Sequence, residues 1–153
     1  MSEYSARVVW ERGEANFLDN RYCRGHRWEF DGGASVPASS SPHVVPLPLS
    51  VEANVDPEEA FVASLSSCHM LFFLSLAAQQ GFLVDSYVDD AIGVMGKDAN
   101  GKTAMLRVAL RPLIRFGGEQ QPTASQLNAL HHQSHELCFI ANSVKTEVVV
   151  EPA

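Results

Sequence analysis

Positive charge is scarce in this chain: eleven lysines and arginines stand against eighteen aspartates and glutamates, a net charge of −7. A surface of that sign repels phosphate backbones and anionic headgroups, which argues against nucleic-acid and membrane-surface partners. Cysteine is also sparse. Three of them, at positions 23, 68 and 138, are too few and too scattered for a disulfide framework or a paired zinc motif. No apolar run is long enough to cross a bilayer, since the longest, Leu71 to Ala78, is far too short. Met1 to Trp10 has no apolar segment of the kind that directs secretion. No repeat or low-complexity tract is visible. Together these absences point to a cytoplasmic protein, where thiols stay reduced unless they are used for redox chemistry.

What remains is a 153-residue chain, 46% hydrophobic, enough for one domain over 1–153 with a real core. Arg7 to Trp10 and His26 to Phe30 alternate as strands, the second with Trp28 and Phe30 on one face. Ser35 to Pro48, rich in Pro and Ser, predicts a long ordered loop with an extended stretch near Val44 to Leu49. Asp56-Pro57-Glu58-Glu59 is a helix start: a capping aspartate, a proline suited to the first position and two carboxylates at the positive dipole end. The helix should run to Gln80 and stop at Gly81. Between Ala60 and Ala78 it is apolar nearly all round, so it should be buried on every side. One small subunit can hardly supply that cover, which implies a dimer around this helix.

Tyr87 to Met95 and Ala104 to Phe116 predict two strands joined at Asn100-Gly101, the second alternating with Leu106, Val108, Leu110 and Ile114 opposite Arg107, Arg111 and Arg115. Pro122-Thr123 opens a second helix reaching Cys138, and Val144 to Val150 ends the chain as a strand. The class is α+β, helices packed on sheet.

Cys68 interrupts the apolar helix together with Ser64, Ser66, Ser67 and His69, and polar groups in such a place need a reason. Cys138 shares a helical bearing with Leu127, Leu130, His131 and Ser134 and so faces inward. Two inward cysteines on two core helices suit thiolate attack on a peroxide O–O bond, a sulfenic acid, and condensation with the second thiol. A nearby cation would have to favour the thiolate. Arg24, in the basic cluster Arg21 to Arg27, is the first candidate and Arg12 the second, with Glu58 able to hold the guanidinium. Glu58 also reads simply as a first-turn dipole residue. It lies ten residues from Cys68, about 15 Å along a straight helix, so the two meet only across a dimer or a broken helix. His131, His135 and Cys138, with Cys68-His69, could be drawn as a metal site, but no zinc spacing is present. The plainer expectation is no metal and no cofactor, with His135 hydrogen-bonded in the core, His132 and Glu136 solvated, and Cys23 an incidental thiol.

Asp56-Pro57-Glu58-Glu59, the mid-helix Cys68 and His135-Glu136-Leu137-Cys138 resemble the motifs of the OsmC/Ohr family of peroxide-resistance proteins. Leu65 to Leu71 and Cys138 to Ser143 are similar to an OsmC-like subgroup. The resemblance spans about Tyr22 to Val150. It implies an OsmC-like fold as an intertwined homodimer, with long central helices against antiparallel sheets and active sites at the interface. It implies a thiol-dependent peroxidase acting on organic hydroperoxides or hydrogen peroxide: Cys68 peroxidatic, Cys138 resolving, Glu58 partner of a catalytic arginine, and a dithiol or lipoylated protein as reductant. Two departures stand out. Phe139-Ile140-Ala141 replaces the Pro-Tyr-Ser of the organic-hydroperoxide branch, and Pro48 occupies the OsmC arginine position. Without that arginine, a non-enzymatic small-molecule-binding protein using the apolar interface pocket is the rival reading.

Overall fold

A computed structural model describes residues 1–151. Two compact units are distinguished, Met1–Ala60 and Phe61–Ala153. In the first, β1 (Arg7–Val9), β2 (His26–Glu29) and β3 (Ser35–Ala38) form an antiparallel sheet in that order. The third strand occupies part of what reads in the sequence as loop. Its Pro37 is tolerated because β3 is an edge strand, where one missing donor breaks little of the ladder. The segment Val44 to Leu49 is not extended: it is a run of turns, with the amides of Val44 and Val45 both reaching back to the Ser41 carbonyl.

α1 (Pro57–Gln79) starts and stops where its sequence predicts. The Glu59 amide donates to Asp56 Oδ1 at 2.8 Å and the Asp56 amide to Glu59 Oε2 at 3.3 Å, a reciprocal cap. Gly81 ends it at φ +82°, a left-handed conformation that glycine adopts without a Cβ penalty.

The second unit is built on a long bent hairpin. β4 (Leu83–Asp89) pairs with β7 (Pro112–Gly117), and β5 (Ile92–Lys97) pairs with β6 (Thr103–Leu110), both antiparallel. β8 (Glu147–Val150) adds to β6 in parallel. The two long strands expected from the pattern are therefore four, divided between two sheets. The break has a local cause. Pro112 has no N–H to give to a ladder, and the Arg111 amide donates to Asp89 Oδ1 at 2.6 Å rather than across the strands. At the corner the alternation fails too: Val108, Ala109 and Leu110 are all buried, while Leu106 is exposed.

α2 (Ala124–Leu137) carries a capping box between Thr123 and Gln126 and ends with Cys138 as its C-cap. Its Leu130 joins Phe73, Ala77 and Phe82 in one core cluster, and Leu65, Val108 and Leu110 make the other. On α1 only the ridge Leu65, His69, Phe73 and Ala77 is buried, one residue per turn. Leu71 on another face is 61% exposed. The all-round burial that the sequence calls for is not supplied by a single chain.

Candidate active site

α1 and α2 meet along a seam that holds two polar pairs. The first is sulfur. Cys138 is 1% exposed, and both Cys68 and Cys138 are free thiols, Cys68 being half-buried. Burial pushes the Cys138 thiol up, and Cys68 pushes it further as a hydrogen-bond partner and as a like charge. The amides of Ala141 and Ile140 act in the opposite sense, that of Ala141 lying 3.4 Å from Cys138 Sγ. The sulfurs of the two residues singled out in the sequence therefore sit together. Phe72, one turn beyond Cys68, meets Phe139 edge-on with ring centroids 5.0 Å apart, and Phe139 is 69% exposed. An apolar pair thus stands beside the thiols.

The second pair is imidazole. His69 Nε2 and His131 Nδ1 are 3.0 Å apart, and Phe73 stacks on the His131 ring at 4.6 Å. Burial holds both rings down at about 4; the nearby His131 and His135 add to this for His69, whereas Asp89 works against it for His131. Near neutral pH both rings are uncharged, one nitrogen donating and the other accepting. The sequence assigned the core hydrogen bond to His135, but His131 makes it. The missed signal was spacing: His69 lies four residues after Leu65 and four before Phe73, on the buried ridge. His132 and Glu136 are exposed, as expected. Among the described residues no cluster of His, Cys, Asp or Glu is arranged to hold a metal ion.

The serines of α1 are accounted for separately. Ser64 Oγ donates to the Phe61 carbonyl at 2.8 Å, and Ser66 Oγ donates to Asp89 Oδ2. Asp89 thus ties α1, two residues before Cys68, to the corner of the hairpin.

Glu58 lies ten residues before Cys68 on an unbroken helix, about 15 Å along its axis, so one chain cannot bring both to one site. Its Oε2 is buried without a hydrogen-bond partner. Arg24 does not fill that place. Its guanidinium donates to the carbonyls of Asn20 and Tyr22 and to Asn20 Oδ1, and lies 3.7 Å above the Tyr22 ring. Arg12 donates to the Ala15 carbonyl. No ion pair among the described residues includes Glu58; Arg27 is spent on Glu29 at 2.7 Å. The basic cluster is therefore dispersed rather than gathered on an anion. Cys23 is exposed, and its sulfur accepts from the Gly25 amide at 3.3 Å.

Comparison with known proteins settles the family. The model of the OsmC-like protein family matches residues 51–153. The chain belongs to the OsmC-like family. An OsmC-like protein of unknown function from Vibrio cholerae O1 biovar eltor shares 62% identity, each chain covered in full, with a TM-score of 0.98. An organic hydroperoxide resistance protein from Elizabethkingia anophelis shares the fold at 15% identity and a TM-score of 0.72, over 100% of this chain and 98% of that one. The organic hydroperoxide resistance protein OhrB of Bacillus subtilis does so at 15% identity and a TM-score of 0.66, over 98% of each chain. No curated protein matches. The α+β architecture with two helices is the OsmC-like one. By length and composition alone α1 is long and apolar enough to cross a membrane, a test that the core helix of a soluble protein also passes.

Proposed function

We propose that this OsmC-like protein is a cytoplasmic thiol peroxidase that reduces organic hydroperoxides or hydrogen peroxide. The observation that carries the reading is the pairing of a half-buried Cys68 with a buried Cys138. The Cys68 thiolate attacks the O–O bond, forming Cys68 sulfenic acid and releasing an alcohol, or water from hydrogen peroxide, after protonation. The Cys138 thiol then condenses with the sulfenic acid, expelling water and leaving a disulfide. A dithiol, such as the lipoyl group of a lipoylated protein, restores both thiols. Phe72 and Phe139 give an organic hydroperoxide an apolar surface beside the sulfurs.

The active unit is a homodimer. The exposed apolar faces of α1 need cover, and the orphaned Glu58 oxygen needs a donor. A second copy answers both requirements and brings Glu58 to the partner's thiol pair. Glu58 is then the acceptor for an activating guanidinium. Arg24 serves that role by exchanging its carbonyl partners, and Arg12 is the second candidate.

The test is peroxide consumption with cumene hydroperoxide and dihydrolipoamide, comparing wild type with Cys68→Ser. The variant should fall to background; equal rates would end the enzymatic reading. A second reading, a non-enzymatic small-molecule-binding protein, draws on a cavity of about 490 Å³ between β7, β8 and α2, lined by Ile114, Phe116, His131, His135 and Val148. It gains if Cys68 proves unreactive to peroxide while a hydrophobic dye binds stoichiometrically.

A further inference from the structure

The two sulfurs differ in access and in what is aimed at them. Cys138 is sealed in at 1% exposure, whereas Cys68 is half-buried. It also caps the C-terminal end of α2, where the helix dipole disfavours negative charge. Yet the chain turns immediately after it so that the Ala141 amide points back at the sulfur. The Asn142 amide donates to the Cys138 carbonyl at 3.0 Å, the Ser143 amide to the Ile140 carbonyl at 3.0 Å, and Ser143 Oγ to the Phe139 carbonyl at 2.7 Å. The Asn142 side chain ties the same turn to the Glu136 carbonyl at 3.1 Å. This rigid turn presents the Ala141 amide to Cys138 Sγ at 3.4 Å, and the Ile140 amide also favours the anionic sulfur. Donors fixed in advance on a buried atom favour the state in which that atom carries charge.

Taking the Cys68–Cys138 disulfide of the proposed cycle as given, we propose that the reducing dithiol attacks the sulfur of Cys68, and that the Ala141 amide holds Cys138 as the departing thiolate. Displacement at sulfur is in line, so the incoming thiolate approaches Cys68 Sγ from the side opposite Cys138. Cys68 is the sulfur of the two with exposed surface, and Cys138 departs as a thiolate beside the Ala141 amide. The incoming S–Cys68 bond forms as the Cys68–Cys138 bond breaks, and the electron pair stays on Cys138. The second thiolate of the dithiol then attacks its own partner sulfur, closing the cyclic disulfide and releasing the Cys68 thiolate. One dithiol loses two electrons and two protons, and two cysteines regain them. A thiolate leaves faster as its pKa falls, so the Ala141 amide, which offsets part of what burial adds, is a positioning group for reduction.

The test uses the full chain carrying Cys23→Ser, which removes the exposed third thiol. The disulfide is made in parallel with one equivalent of cumene hydroperoxide and with diamide. It is then treated briefly with 2-mercaptoethanol, a monothiol that cannot close a cyclic disulfide, quenched in acid before a second equivalent reacts, alkylated with N-ethylmaleimide and mapped by peptide mass spectrometry. The expected product carries mercaptoethanol on Cys68 and maleimide on Cys138. An adduct on Cys138, or an even split, overturns the proposal, as does the failure of diamide to form the disulfide. A disulfide formed by diamide but not by hydroperoxide defeats the peroxidase reading alone and leaves the regiochemistry measurable. A semisynthetic chain joined at Cys138, with lactic acid in place of Ala141, replaces that N–H by an ester oxygen. Its disulfide should be reduced several-fold more slowly with the adduct still on Cys68, and an unchanged rate overturns the role of the amide.

Discussion

The seam between α1 and α2 holds a thiol pair and an imidazole pair at adjacent positions of α1, and they differ in access. Cys68 is half-buried, whereas His69, the next residue, is 1% exposed. A helix turns 100° per residue, so neighbours in sequence face different surroundings. The difference teaches that a polar pair in a core contact is not by itself a reactive site. The His69 imidazole is sealed between the helices, whereas one of the thiols is reachable, as the proposed chemistry requires.

The largest effect that sharpens this contrast is on turnover. Cys138→Ser should retain one rapid oxidation of Cys68 but lower steady-state turnover with dihydrolipoamide by about two orders of magnitude, since the sulfenic acid loses its internal partner. Stopped-flow oxidation set against steady-state consumption measures this, and undiminished turnover would remove Cys138 from the cycle. The corresponding break at the other pair is His69→Ala. It opens a void and leaves His131 Nδ1 without its partner, so it should cost about 3 kcal/mol in chemical denaturation while single-turnover oxidation of Cys68 changes little. A catalytic loss with stability intact would reverse the assignment.

The imidazole pair also gives stability an acid limb. Both rings are held at about 4, below the ordinary 6.5, so between those values the unfolded chain binds protons that the folded chain refuses. Stability contributed by the neutral rings is complete above about 6.5 and declines as pH falls towards 4. His135 lowers the His69 value and Asp89 raises that of His131, so the limb belongs to the cluster. His69→Phe should flatten it, read as unfolding midpoints at pH 7, 5.5 and 4.5; an unchanged slope would assign the limb elsewhere. The smallest effect is expected at Asp89→Asn. Its carboxylate accepts from Ser66 Oγ and the Arg111 amide, and an amide in its place weakens both bonds for about 1.5 kcal/mol, measured by thermal unfolding. An unaltered midpoint would show that the corner does not depend on that charge.

Much of this was legible in the chain. The limits of α1 followed from Asp56-Pro57 and Gly81, and the inward bearing of Cys138 from its spacing to Leu130 and Ser134. Those are local signals, written within a turn or two of where they act. The bent hairpin was not legible because its break depends on Asp89 and Arg111, partners twenty-two residues apart whose contact no periodicity announces. His131 was passed over for His135 because its partner lies on the other helix. The orphaned oxygen of Glu58 belongs to the same class, since no local pattern announces a buried acceptor with no donor among the described residues.

Asp89 carries one more consequence. A single acidic side chain stops two strands from running on and also holds the helical turn just ahead of Cys68. Straightening the surface arm would release that turn, so the curvature of an outer hairpin and the aim of an inner sulfur are tethered through the same carboxylate.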